Sequence, residues 1–224
     1  MTHALTVVSA GLRSPSSTRM LADRLAQAAR VALSRTGDDV EVRVVEVRDH
    51  AHAVVDALLT GFPTGALRDA LHDVTSADAL VVVTPTFQAS YSGLFKSFMD
   101  LVEEGTLRGM PVILGATGGT ERHSLVIEHA LRPLFSHLRA APVATGVYAA
   151  TSDFGEGSDA LEVRVSRAAE DLADLVLGRA ARVDAGARAR AGAGAVSERA
   201  GTAGGDVADV TPFEQLLARS GASA

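Results

Sequence analysis

Apolar runs bounded by turn residues recur along the chain at residues 5–10, 40–47, 79–84, 111–116 and 143–149. Each is rich in valine, isoleucine or leucine, and each predicts a β-strand. Three of them, LTVVSA, ALVVVT and PVILGA, show almost no polar alternation, the pattern of strands covered on both faces and therefore of a parallel sheet. Between the runs the apolar period changes to that of a helix. Residues 17–35 place Met20, Leu21, Leu25, Ala28, Ala32 and Leu33 on one side, with Gly37 as a stop. Residues 92–102, 124–139 and 159–177 follow the same pattern. The stretch 49–76 is long for one crossover and is interrupted by Gly61-Phe62-Pro63, which predicts two short helices.

Strands alternating with helices imply right-handed crossovers and a doubly wound sheet with helices on both faces. Five strands in the order 2-1-3-4-5 are expected, with ligands beyond the carboxyl ends, where strands 1 and 3 diverge. That domain should occupy residues 1–178. Residues 179–209 are rich in alanine, glycine and arginine with almost no large apolar side chain, and read as a flexible linker. Residues 210–224 read as a short docking segment, with Thr211 as helix cap, Pro212 next, and Phe213, Leu216 and Leu217 on one face.

The topology singles out three loops. After strand 1, Arg13, Ser14, Ser16, Ser17 and Thr18 stand at the entrance to a helix, with Arg19 beside them. Hydroxyls, free N–H groups and the positive end of the helix dipole suit a phosphate monoester, although Ser16 or Ser17 could equally act as a simple N-cap. After strand 3, the segment TPTFQASYSGLFK concentrates aromatic residues and hydroxyls in a chain that is only 4% aromatic. Pro85 would stiffen the strand exit and Phe87 could lie against a flat ligand; covering the sheet edge is the plainer alternative. Lys96 reads as a solvated helix residue. After strand 4, Thr117, Gly118, Gly119 and Thr120 let the backbone approach a planar ligand and present N–H groups to it, or simply turn the chain from strand to helix.

Composition narrows the chemistry further. The chain of 224 residues has no cysteine, so redox work needs a bound cofactor. The net charge of −6 arises from interspersed acids and bases without a basic block, which argues against nucleic acid and anionic membranes as partners. No apolar run is long enough to span a bilayer and no leader pattern stands at the start, so a cytoplasmic protein is expected. Seven histidines form no HExxH pattern, and no metal site is expected. His129 is of interest because Pro133 should disturb the helix around it.

The segments SPSSTRMLA, PTFQASYSGLFKSFMD and GATGGTERHSLVIEHALRPLFSHLRA, in this order and at strand ends, resemble the NADPH-dependent FMN reductase family. The likeness covers residues 4–177 and is greatest to flavin reductases serving two-component alkanesulfonate and luciferase-like monooxygenases. It implies a flavodoxin-like fold. Arg13, Ser14, Ser16, Ser17 and Thr18 would hold the FMN phosphate, and Pro85, Thr86, Phe87, Thr117, Gly118, Gly119 and Thr120 would border the isoalloxazine. NADPH or NADH would pass hydride to flavin N5 without a side-chain acid, and reduced FMN would go to a partner flavin-dependent monooxygenase. In some members the helix before the A-L-[KR]-P run carries a π-bulge at a subunit interface; His129 occupies that place here as a modulator. A homodimer or homotetramer is implied. The competing expectations are a bound-FMN oxidoreductase for quinones or azo compounds, and a flavodoxin-like electron carrier. Mixed surface charge and the absence of tryptophan speak against the carrier.

Overall fold

In the computed structural model, which describes residues 2–155 and 159–197, the first four apolar runs become β1 (Thr2–Ser9), β2 (Asp39–Glu46), β3 (Ala79–Phe87) and β5 (Pro111–Gly118). These strands are parallel in the order β2-β1-β3-β5. The fifth place is filled by two short pieces, β6 (Ala141–Pro142) and β7 (Val147–Ala150), both parallel to β5. The expected 2-1-3-4-5 arrangement is therefore present, with its last strand broken at 143–146. An extra strand, β4 (Ser90–Tyr91), pairs antiparallel with the end of β3.

Successive residues of the parallel strands feed two cores. Leu5, Val7, Val81, Val83 and Ile113 face α1 (Ser17–Leu33) and α6 (Asp159–Ser197). Val8, Ala10, Leu80, Val82, Val112 and Leu114 face the opposite layer, formed by α2 (Ala51–Thr60), α3 (Gly65–Thr75), α4 (Gly93–Met99) and α5 (Arg132–His137). Burial on both faces explains the unbroken apolar runs. The two short helices expected in 49–76 are α2 and α3, and α2 ends at Gly61 in the left-handed region, φ 81°, where glycine adds no steric penalty.

Three boundaries need a structural account, one of them, the π-helix around His129, implied by the family resemblance. Residues 143–146 break the fifth strand, and side chains take over part of their backbone hydrogen bonding. Arg132 Nη1 and Nη2 donate to the carbonyls of Val143 (3.0 Å) and Ala144 (3.2 Å), and Thr145 N donates to Asp171 Oδ2 (3.0 Å). Next, residues 124–139 form a π-helix (Ile127–Leu131) followed by α5, after a 3-10 turn at Glu121–His123. Pro133 has no N–H for the His129 carbonyl, and the N–H of Arg132 bonds instead to Ile127, five residues back. Finally, α6 runs past residue 177 to Ser197, into the stretch read as a linker, because alanine and arginine are strong helix formers even without an apolar face. The chain divides into residues 1–180 and 181–224, and the segment 210–224 lies outside the described residues.

Candidate functional site

β1, β3 and β5 are neighbours, with Ser9 opposite Val83 and Pro85 opposite Thr117. The three loops chosen from the sequence thus emerge side by side at one end of the sheet. In the first, Ser16 caps α1 by accepting a hydrogen bond from Arg19 N at 3.2 Å. The N–H groups of Ser17 and Thr18 precede the first intrahelical acceptor and point, with the positive end of the dipole, at the turn. Arg13, Ser14 and Ser17 are exposed around it. The Thr18 hydroxyl is buried and shares a hydrogen bond with Thr117 Oγ1 at 2.8 Å, while its N–H lies at the open end of the helix.

Two residues shaping this turn were not singled out by sequence. A Cβ on Gly11 would lie 2.1 Å from Ser16 Oγ, so the cap can form only over glycine. Arg48, after β2, donates from Nη1 to the Arg13 carbonyl at 3.1 Å. A sequence signal existed for Gly11, within the AGLRSPSS turn; Arg48 reaches the turn only through the β1–β2 pairing. Arg19 is committed elsewhere, to Glu46 (2.6 Å) and Asp23 (2.7 Å), and these carboxylates raise its pKa further.

β3 continues through Pro85, Thr86 and Phe87 into a two-residue turn at Gln88 and Ala89, with φ 48° and 63°, before β4. Positive φ at both central residues is the I′ hairpin geometry, normally signalled by Asn-Gly or Asp-Gly, which explains why the sequence did not reveal it. Phe87 stands half exposed on this hairpin. The hydroxyls of Thr84 and Ser92 serve the backbone: Thr84 Oγ1 accepts from Ser92 N (3.0 Å) and Ser92 Oγ caps α4 at Phe95 N (3.1 Å). Lys96 pairs with Asp100 one turn on, as a surface helix residue does.

In the third loop Thr117 is buried, Gly118 half-buried, and Gly119 and Thr120 exposed. A Cβ on Gly118 would come 2.1 Å from Tyr148 Oη, whereas one on Gly119 would meet nothing within 4 Å. Tyr148 donates its phenol proton to the Thr120 carbonyl at 2.7 Å. Burial raises the phenol pKa; a Thr86 hydroxyl beside it acts the other way and Asp153 adds to the rise. His129, on the π-helix, is exposed, and its neighbour Glu128 is held below the usual carboxylate range by hydrogen bonds from Arg132, with burial opposing.

Two buried hydroxyls at this end of the sheet, Ser9 Oγ and Thr86 Oγ1, have no hydrogen-bond partner among the described residues. Leaving such a group unsatisfied costs about 1–3 kcal/mol, and Thr86 sits between the hairpin and the glycine loop, where a planar heteroaromatic ligand offers acceptors. Free N–H groups and hydroxyls at α1 for a phosphate, an exposed phenyl ring, and a glycine backbone opposite it fit FMN. A cavity of about 490 Å³ lies instead between α1 and α6, walled by pairs such as Arg24 with Glu162.

The sheet order and the three converging loops define a doubly wound α/β protein of the flavodoxin-like type, with its candidate site at the carboxyl edge of β1, β3 and β5. Comparison gives the particular family: the NADPH-dependent FMN reductase family matches over residues 4–155, and the chain belongs to it. It is 39% identical over 175 residues to an FMN reductase (NADPH) of Pseudomonas aeruginosa, covering 77% of this chain and 91% of that one. It is 39% identical over 150 residues to the NADH-dependent FMN reductase SfnF of Pseudomonas putida, covering 67% and 78%. Among solved structures, an oxidoreductase from Corynebacterium diphtheriae superposes with a TM-score of 0.75 at 44% identity, over 79% of this chain and 97% of that one.

Proposed function

We propose that the chain works as an NAD(P)H-dependent FMN reductase at the three-loop site and supplies reduced FMN to a flavin-dependent monooxygenase. The carrying observation is the cradle itself: Gly118 against Tyr148, with the unpartnered Thr86 hydroxyl between the two loops that would border the ring. Bound FMN supplies the redox chemistry, as acceptor at N5 of a hydride from nicotinamide. The protein's own part is binding and alignment. Ser14, Ser16, Ser17 and the N–H of Thr18, with Arg13, hold the phosphate. Pro85, Thr86 and Phe87 fix one edge of the ring plane, and the backbone of Thr117, Gly118, Gly119 and Thr120 offers N–H donors where negative charge develops. The partner reading draws on the family's relatives. No helix among the described residues is long and apolar enough to cross a membrane, which is compatible with the cytoplasmic location we propose.

Self-association is part of this proposal. On α2 and its C-cap, Val55, Leu58, Leu59 and Phe62 form an apolar stripe at helical spacing that faces solvent, Leu59 being 82% and Phe62 76% exposed. Asp56 is the one charged residue in 51–66, His52 counted neutral. The four side chains offer on the order of 400 Å², the size of patch that marks an interaction surface and about half of one side of a standard interface. A second copy related by a two-fold axis is the occupant we assign. Sedimentation should show an oligomer that Leu59→Glu with Phe62→Glu dissociates; a monomeric parent protein would overturn this assignment. The function is tested by stripping the protein of flavin and following NADPH and NADH oxidation with FMN, FAD and riboflavin. Turnover with FMN is expected, and failure with every flavin refutes the reading.

A further inference from the structure

Tyr148 is one of only two tyrosines in the chain and stands outside the three loops, on the short strand β7 at the sheet's fifth position. Its backbone carbonyl accepts from Arg164 of α6 at 3.3 Å, and its ring is buried in the core that packs beneath α4 and the π-helix. From there the phenol reaches past the end of β5 to the back of the glycine loop. It touches that loop twice, through the 2.7 Å bond to the Thr120 carbonyl and through contact so close to Gly118 that no Cβ fits between them. The position a Gly118 Cβ would take also lies 3.7 Å from Thr86 Cβ, on the hairpin after β3.

Resting on the reductase reading above, we infer that Tyr148 is a positioning residue of the flavin site, holding the hairpin and glycine loops in register from behind. The direction of its hydrogen bond is forced, because a carbonyl cannot donate: the phenol gives its proton to Thr120 and keeps its lone pairs. The Thr86 hydroxyl lies beside the phenol, so the ring stands where the hairpin and the glycine loop meet. The bond also fixes a peptide plane. In a trans peptide the C=O and N–H point opposite ways, so pinning the Thr120 carbonyl to Tyr148 turns the N–H of Glu121 away from it. Without the phenol oxygen the 120–121 peptide would be free to rotate, and the backbone donors of the loop would lose their fixed aim.

The test uses the full-length protein and three variants, Tyr148→Phe, Gly118→Ala and the two combined. A neutral hydrogen bond of this kind corresponds to a change of about 3- to 10-fold. In Tyr148→Phe the FMN dissociation constant, read by flavin fluorescence, and the KM for FMN should rise by that factor while kcat stays within about twofold. In the flavin-free protein, amide exchange should quicken over 117–121 and 86–91 but not in β1. Gly118→Ala should weaken FMN more severely, since its Cβ would meet the phenol oxygen at 2.1 Å. Removing that oxygen leaves the ring carbon at 3.2 Å as the nearest atom, so the double variant should bind FMN better than Gly118→Ala alone. Unchanged FMN affinity and loop exchange in Tyr148→Phe, with the parent protein reducing FMN normally, would overturn the inference and leave the reductase reading intact. Failure of the double variant to bind FMN better than Gly118→Ala would do the same. A parent protein that neither binds nor reduces flavin would overturn both.

Discussion

The hydrogen bond between Thr18 and Thr117 separates two roles for the first loop that the sequence left superimposed. Both side chains are 2% exposed and their hydroxyl oxygens are 2.8 Å apart, joining the first turn of α1 to the end of β5 across 99 residues. Thr117→Val deletes one partner and strands the Thr18 hydroxyl in a dry environment, which should destabilise the fold by about 1–3 kcal/mol. Thr18→Val should do the same from the other side. Replacing both with valine preserves volume and leaves no orphan, so the double variant should lose less than the sum of the singles, by about 1 kcal/mol or more. Urea unfolding of the four proteins, with equal m-values, measures that coupling. FMN titration supplies the functional half. If Thr18 acts through its N–H alone, the double variant binds FMN within about twofold of the parent protein, whereas loss of a hydroxyl bonded to a charged phosphate would weaken binding by roughly tenfold or more. Additive stability losses would refute the structural assignment, and a tenfold loss of FMN affinity in the double variant would refute the internal role of the hydroxyl.

Further outcomes follow from the same geometry. Gly11→Ala should dislodge the Ser16 cap, costing about 1 kcal/mol of stability and raising the KM for FMN, because its Cβ would overlap Ser16 Oγ; thermal unfolding and steady-state kinetics check it. Ala89→Gly should stabilise the hairpin by up to about 1 kcal/mol, since a left-handed alanine at φ 63° carries a steric penalty that only partly returns as glycine entropy; an unchanged or lower melting temperature would contradict it. Glu128, whose folded pKa is depressed by Arg132, contributes stability that is fully present above its unfolded pKa and fades as pH falls through the lower folded value. Glu128→Gln should remove that part of the acid dependence, seen as a flatter stability profile below the usual carboxylate range. A profile identical to the parent's would show that the pair is too solvated to matter.

How far the fold was legible depends on which forces decide each element. The doubly buried strands were plain because burial on both faces writes itself as unbroken apolar runs, as in Ala79 to Val83. The hairpin at Gln88-Ala89 was hidden because its turn violates local preference; neither residue favours positive φ, and the conformation is held by β3, β4 and the Thr84 to Ser92 bond. The far end of α6, in the stretch read as a linker, was hidden for the opposite reason, its propensity being local and its sequence carrying no large apolar residues. In the site, loop positions followed from topology alone, but the uses of individual hydroxyls did not. Ser16, Thr84 and Ser92 serve the backbone and Thr18 serves Thr117, distinctions that depend on rotamers and on strands far apart in sequence.

Two of the residues that sequence reasoning missed act on the loops from behind. Arg48 holds the first loop through the Arg13 carbonyl, and Tyr148 holds the third through the Thr120 carbonyl. Arg132 extends the same logic to the broken edge strand, where it replaces ladder hydrogen bonds at Val143 and Ala144 while anchoring the π-helix through Glu128. That arrangement lets Gly146 approach so closely that a Cβ would lie 2.6 Å from Ile127 Cγ2. Pro133, which denies His129 a partner, and Arg132, which takes the five-residue bond, are adjacent in the same ALRP run. The π-helix and the broken strand are therefore coupled consequences of one short segment. A change at Arg132 should disturb both together, and with them the wall on which Tyr148 rests.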